Sequence, residues 1–255
     1  MRPTTDIDAG IGALTAETRE GGGMAGTPKY YRQKLRIIDL IAGATPGDPL
    51  PTERELAERF GTSRTTIRQA LTELAIEGRV VRTQGRGTFV ADPPIIAVRQ
   101  LTSFSEDLDG MGLDSDVLGI EEEPASAEVA AALGIEPGST VTRIDRVRRH
   151  EGAPLAHETA RLPGSYDGLA DELAERGSLY RTVREAYGVD LSSVDDEVAT
   201  ELADPAEAAL LGIEIGLPLL VVRRVARAAD GAAVEYTRSA FRGDRFRFRA
   251  SASRH

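Results

Sequence analysis

Arg146 and Arg148 stand two residues apart in a run, 140–150, that has the alternation of a strand, so their guanidinium groups share one face with Ile144. Two cations side by side repel unless negative charge lies between them. The planar fork of Arg matches phosphate or carboxylate, so the pair either holds an anionic ligand or is neutralised by Asp and Glu of its own domain. A second pair has a different spacing. Arg64 and Arg68 are four apart at the start of a helical run and project from one face of it. Arg reads guanine bidentately in a major groove, and Ser63, Thr65, Thr66 and Gln69 around them can reach phosphates or base edges. Arg54 is placed to reach the same groove. Gly85 in the glycine-rich run 84–87 allows close backbone approach, and Arg86 suits a narrow minor groove. The competing reading of this second set is a group of solvated charges on an ordinary helical domain.

Other chemistries find little support. The chain has no Cys, which excludes disulfides, thiolate metal ligands and cysteine nucleophiles and fits a reducing cytoplasm. His150, His157 and His255 lack metal-ligand spacing, and there is no nucleophile elbow and no phosphate-binding loop. No metal, no cofactor and no enzymatic activity are therefore expected. No run of 18 apolar residues and no secretory signal is visible, which points to a cytoplasmic location. The net charge of −10 is unevenly spread. Residues 27–92 carry 11 Lys and Arg against 8 Asp and Glu, so the basic balance falls where DNA contact would need it.

The elements that must position these residues follow from periodicity and punctuation. Residues 1–26, with three consecutive glycines, read as a disordered tail. Tyr31, Leu35, Ile38 and Ala42 recur at helical spacing and predict a first helix packed through that stripe. Prolines 46, 49 and 51 break it, and Thr52 with Glu55 has the capping-box spacing of a second helix. Gly61 closes that helix and Ser63 caps a third, whose buried face is Ile67, Ala70, Leu71 and Leu74. Two β-prone runs around 84–87 make a hairpin. Three short helices, a tight turn and a hairpin form a winged helix-turn-helix over 27–92. A proline-stiffened linker over 93–100 leads to an effector-binding and dimerisation domain, 101–255. There the runs 126–133, 180–187 and 204–211 read as helices and 140–150, 154–162, 195–202, 217–226 and 232–250 as strands. That mixture predicts an α+β domain on an antiparallel sheet.

The motifs also carry a resemblance. Leu50-Pro-Thr-Glu-Arg-Glu-Leu-Ala57, Thr62-Ser-Arg-Thr-Thr-Ile-Arg-Gln-Ala-Leu71 and Gly85-Arg-Gly-Thr-Phe-Val90 resemble the GntR family of transcription regulators. Leu101-Thr-Ser-Phe-Ser-Glu-Asp107, Arg143-Ile-Asp-Arg-Val-Arg148, Ala156-His-Glu-Thr159, Ser178-Leu-Tyr180, Leu211-Gly212 and Phe241-Arg-Gly-Asp-Arg-Phe246 resemble its HutC subfamily. The effector domain of that subfamily is the UTRA domain, with a chorismate-lyase-like fold. The resemblance implies a homodimeric, ligand-relieved repressor on a pseudo-palindromic operator, with Arg54, Arg64 and Arg68 in the major groove and Gly85 at the minor groove. In the branch that answers to phosphorylated amino sugars, it implies that Arg146 and Arg148 hold the phosphate, assisted by Ser105, Ser178 and Tyr180. Glu158 and Glu235, with the backbone near Phe104, then hold the sugar. Phe241 departs from the Tyr often found at its position, which touches sugar identity more than phosphate binding. A regulator of the same architecture with a carboxylate effector, and an orphan with a vestigial pocket, are the rival readings.

Overall fold

The computed structural model describes residues 27–83, 85–98 and 113–249. Two compact units divide the chain: one runs to Glu73 but omits Thr45–Leu50, and those residues join Leu74 onward in the other.

The first unit is helical. Helix α1 spans Lys29–Ile41, α2 Glu53–Phe60, and α3 begins at Arg64 and runs to Ile76. The Thr52 capping box is formed in full, and Gly61 ends α2 in the left-handed region at φ 63°, which reverses the chain within a few residues. Ile67, Ala70, Leu71 and Leu74 of α3 are completely buried, as their spacing requires. For α1 the expected stripe is corrected. Tyr31 and Ala42 are exposed, and the helix buries Lys34 and Ile37 instead. A lysine takes a core position here because its stem packs while its ammonium reaches Glu73 at 2.9 Å.

The second unit contains the wing. Strands β1 (Val80–Thr83) and β2 (Gly87–Val90) pair antiparallel around Gly85 and Gly87, both at positive φ. Residues 95–98, expected within a linker, form β3 (Ile95–Val98). The structure closes with β10 (Phe246–Arg249), and the two strands pair in parallel. The single strand expected over 232–250 is therefore two, separated by a turn at Gly243 and Asp244. Just past α3, Gly78 lies so close to the Asp244 carbonyl that a Cβ would run into it, and Arg247 donates to the Glu77 carbonyl at 3.3 Å. These contacts join the chain just past α3 to the unit that contains the sheet.

The core of this unit is a six-stranded antiparallel sheet in the order β4-β5-β6-β9-β8-β7. Its strands are β4 (Leu113–Pro124), β5 (Thr140–His150), β6 (Ala153–Pro163), β7 (Ser193–Leu202), β8 (Pro218–Arg227) and β9 (Ala233–Arg242). Periodicity had missed β4, whose acidic residues mask its alternation at the sheet edge. Helix α4 (Ala127–Leu133) packs on Val141 and Tyr236, and α7 (Pro205–Leu211) on Val221 and Ala240. Both cover one face. The opposite face, through Ile144, Ala160 and Leu162, is covered by α5 (Leu169–Arg176), also missed from sequence, and α6 (Leu179–Tyr187).

Candidate functional site

The first unit presents the arginines of α2 and α3 to water. Arg54, Ser63, Arg64, Thr65, Arg68 and Gln69 are exposed, with Thr66 half-buried. Ser63 caps α3 by accepting from the Thr66 amide at 3.2 Å, and its hydroxyl meets that of Thr66 at 2.8 Å. The first turn is thereby held rigid. Arg68 is gripped by Glu53 of α2, with Nε and Nη2 donating at 3.0 and 2.8 Å to one carboxylate oxygen. Arg54 makes a looser exposed pair with Glu58 at 3.5 Å. Arg64 makes no ion pair among the described residues. In the second unit Gly85 and Arg86 at the wing tip are exposed, while Gln84 lies outside the described residues. A rigid helix start that displays Arg, Thr and Gln is suited to reading base edges in a groove.

The second cluster is buried. Register places Arg146 opposite Glu158, and Glu158 opposite Ser239; one row along, Arg148 lies opposite Ala156 and Ala156 opposite Phe241. All lie on the face covered by α5 and α6. Nη2 of Arg148 donates to Glu158 Oε1 at 2.9 Å, and Nη2 of Arg146 donates to the same oxygen. Ser239 adds a longer bond to the other oxygen at 3.4 Å. One carboxylate thus bridges two guanidiniums, which are only 2% and 4% exposed. Nε and Nη1 of Arg146 have no hydrogen-bond partner among the described residues.

These neighbours set the charges. Burial alone would raise the Glu158 carboxyl, but Arg146 and Arg148 win and hold it down at about 2. Burial, and then the charge of Arg146, lower Arg148. Glu235 is pushed up, chiefly by burial, against a smaller lowering by the Arg146 charge, and its Oε2 is unpaired among the described residues. Tyr180 places its hydroxyl between Glu235 and Arg224; burial and the Glu235 charge push it well up, so it stays a donor.

The structure therefore brings Arg146, Arg148, Glu158, Glu235 and Tyr180 together and sets Phe241 on the same face. Phe241 stacks on Phe246, centroids 4.0 Å apart and planes at 14°, within a cluster that includes Ile95 of β3. Ser178 is buried and caps α6, accepting from the Arg181 amide at 3.3 Å. Phe104 and Ser105 lie outside the described residues. Sequence reasoning missed Arg224 and Asp196, whose bidentate pair at 2.7 and 2.8 Å backs Tyr180. The tandem arginines 223 and 224 and acids 195 and 196 were a signal, but only the pairing of β7 with β8 shows which meet. Among the described residues no group of three or more His, Asp or Glu is arranged to hold a metal, and no helix is long and apolar enough to cross a membrane.

Comparison with known proteins gives a consistent answer. The UTRA domain profile matches residues 109–247, and that of the bacterial regulatory proteins of the gntR family matches residues 33–90. The HTH-type transcriptional repressor NagR of Bacillus subtilis is 37% identical over 226 residues, covering 87% of this chain and 93% of that protein. The HTH-type transcriptional repressor PhnF of Mycolicibacterium smegmatis is 37% identical over 225 residues, covering 87% and 91%. The crystal structure of PhnF superposes with a TM-score of 0.60 at 36% identity, covering 86% of this chain and 98% of that one.

Proposed function

The chain belongs to the gntR family of bacterial regulatory proteins, with a UTRA domain behind its reading head, and from that premise we propose a transcriptional repressor released from its operator by a small phosphorylated sugar. The observation that carries the effector class is the shared oxygen of Glu158. Two buried guanidiniums with one carboxylate between them, and donors of Arg146 still unused, form a site for further negative charge. Glu235, raised by burial and with an unpaired Oε2 among the described residues, can exchange hydrogen bonds with sugar hydroxyls. The amino sugar phosphates are the first candidates, on the resemblance of Arg146, Arg148, Glu158, Ser178, Tyr180 and Glu235 to the branch that binds them.

The protein acts as a homodimer on a pseudo-palindromic duplex, its two heads one helical turn or a multiple apart. A ligand weakens DNA binding only by favouring a conformation in which the heads are misplaced. The Phe241–Phe246 stack supports a route: it packs on Ile95 of β3, the strand that continues from the wing. A ligand against Phe241 would act on the anchor of the wing without touching α3.

A second reading has its own observation. Glu158 shows that a carboxylate fits between the two arginines, so a carboxylate effector would fit as well. Thermal unfolding against glucosamine 6-phosphate, N-acetylglucosamine 6-phosphate, the free sugars and small carboxylates separates the two. A ligand at a hundred times its Kd adds about 2.7 kcal/mol, which a melting curve resolves. A shift with the phosphosugar and none with its free sugar supports the proposal; a shift with carboxylates alone replaces it. A phosphosugar that binds yet leaves operator affinity unchanged would sink the release mechanism.

A further inference from the structure

Strand β9 carries three polar side chains in alternation on the face of the buried arginines: Glu235, Thr237 and Ser239. Ser239 is committed to Glu158. The Thr237 hydroxyl is placed differently. The residue is 5% exposed, and its Oγ1 has no hydrogen-bond partner among the described residues. Its neighbours across the sheet explain why. On one side it faces Ala160, whose methyl group offers no polar atom. On the other it faces Arg224, whose guanidinium is taken up by Asp196 and the Tyr180 hydroxyl. Glu235, two residues along the strand, is near enough for the hydroxyl to counteract the rise of its carboxyl, yet Oε2 of Glu235 also stands without a partner. A buried hydroxyl with no hydrogen bond destabilises the fold, so its partner comes from outside the chain. One water would serve Thr237 alone. Unpartnered atoms on Arg146, Glu235 and Thr237, all on one face, call instead for a ligand that spans the strands.

We infer that Thr237 is a ligand contact that selects the end of the effector remote from its phosphate. The strand order β5-β6-β9 sets its place: β9 lies about 10 Å from β5, two strand spacings away. A ligand whose phosphate is held by Arg146 and Arg148 on β5 therefore extends over β6 and brings its sugar to Thr237 and Glu235. A hydroxyl or amide there accepts from Thr237 and donates to Glu235, satisfying both at once. A second carboxylate or phosphate has no proton to give Glu235 and is disfavoured. Thr237 thus favours a neutral, polyol-like end over a second anion.

This assignment rests on the phosphosugar reading above, and one set of titrations separates the two. Calorimetry of the full-length protein with glucosamine 6-phosphate compares the parent with Thr237→Val, which keeps the side chain's shape and removes its hydroxyl. The expected loss of affinity is about 10-fold, the scale of one buried hydrogen bond. The urea midpoint of the unliganded variant should equal or exceed that of the parent, because an unsatisfied polar atom is gone. Thr237→Ser should bind as the parent does, and inorganic phosphate, which has no sugar, should bind parent and Thr237→Val equally. Parent affinity for glucosamine 6-phosphate in Thr237→Val would overturn the contact and leave a hydroxyl served by water. Loss of unliganded stability along with affinity, or an equal loss for inorganic phosphate, would overturn it as well, since the hydroxyl would then shape the sheet or the arginines. A parent indifferent to every phosphosugar would overturn the effector reading and this contact with it.

Discussion

Arg64 and Arg68 stand in water on the first turns of α3, whereas Arg146 and Arg148 lie almost wholly buried on the sheet, bridged by one carboxylate. The same side chain is therefore under opposite constraints. In water a guanidinium costs nothing to keep charged, so its partners are optional; the Arg68–Glu53 pair orients a side chain more than it stabilises the fold. Under the helices, desolvation makes every charge dependent on its neighbours, and removing one leaves the others uncompensated. A surface built the first way can gain and release a partner freely, as a DNA reader must. A cluster built the second way would admit only a ligand that completes its charge pattern.

The largest effect expected is from Glu158→Ala, which strands two buried guanidiniums and should cost about 3–5 kcal/mol in urea unfolding. Arg146→Met keeps a bridged Arg148–Glu158 pair and should cost clearly less while abolishing the thermal shift with a phosphosugar. Equal losses in the two variants would break the asymmetry. In the head the order of effects reverses. Arg64→Ala should lower operator affinity by about 1–3 kcal/mol, roughly 5- to 150-fold, with no measurable change in stability.

Acid sharpens the contrast within the buried cluster. The folded carboxyl of Glu158 sits at about 2 against an ordinary 4.5, so its contribution is complete above 4.5 and is lost as pH falls toward 2. Glu235 is raised, so its contribution is complete below 4.5 and is lost as pH rises through its folded value. Urea midpoints of Glu158→Gln and Glu235→Gln against the parent should therefore change in opposite directions with pH. The smallest effect belongs to Glu53→Gln: below about 1 kcal/mol in stability, with a modest loss of operator affinity as Arg68 loses its guide.

Much of the reading head was legible because its signals are local. The Thr52–Glu55 box, Gly61, and the Ile67, Ala70, Leu71 and Leu74 stripe each depend on residues within one helix or turn. Where a distant partner intervened, local reasoning failed: Lys34 is buried because Glu73 waits for it on another helix. The linker is the same case, since Ile95–Val98 becomes a strand only against Phe246–Arg249.

The sequence by itself determined that Arg146 and Arg148 share a face, that Arg64 and Arg68 share another, and that the motifs around both belong to one family of regulators. It left open what faced the arginines. Only the tertiary structure decided that Glu158 lies between them, that Arg224 and Asp196 back Tyr180, and that Phe241 stacks on Phe246 beside Ile95. The physical reason is that strand parity is set by the chain's own alternation, whereas charge compensation is set by register between strands.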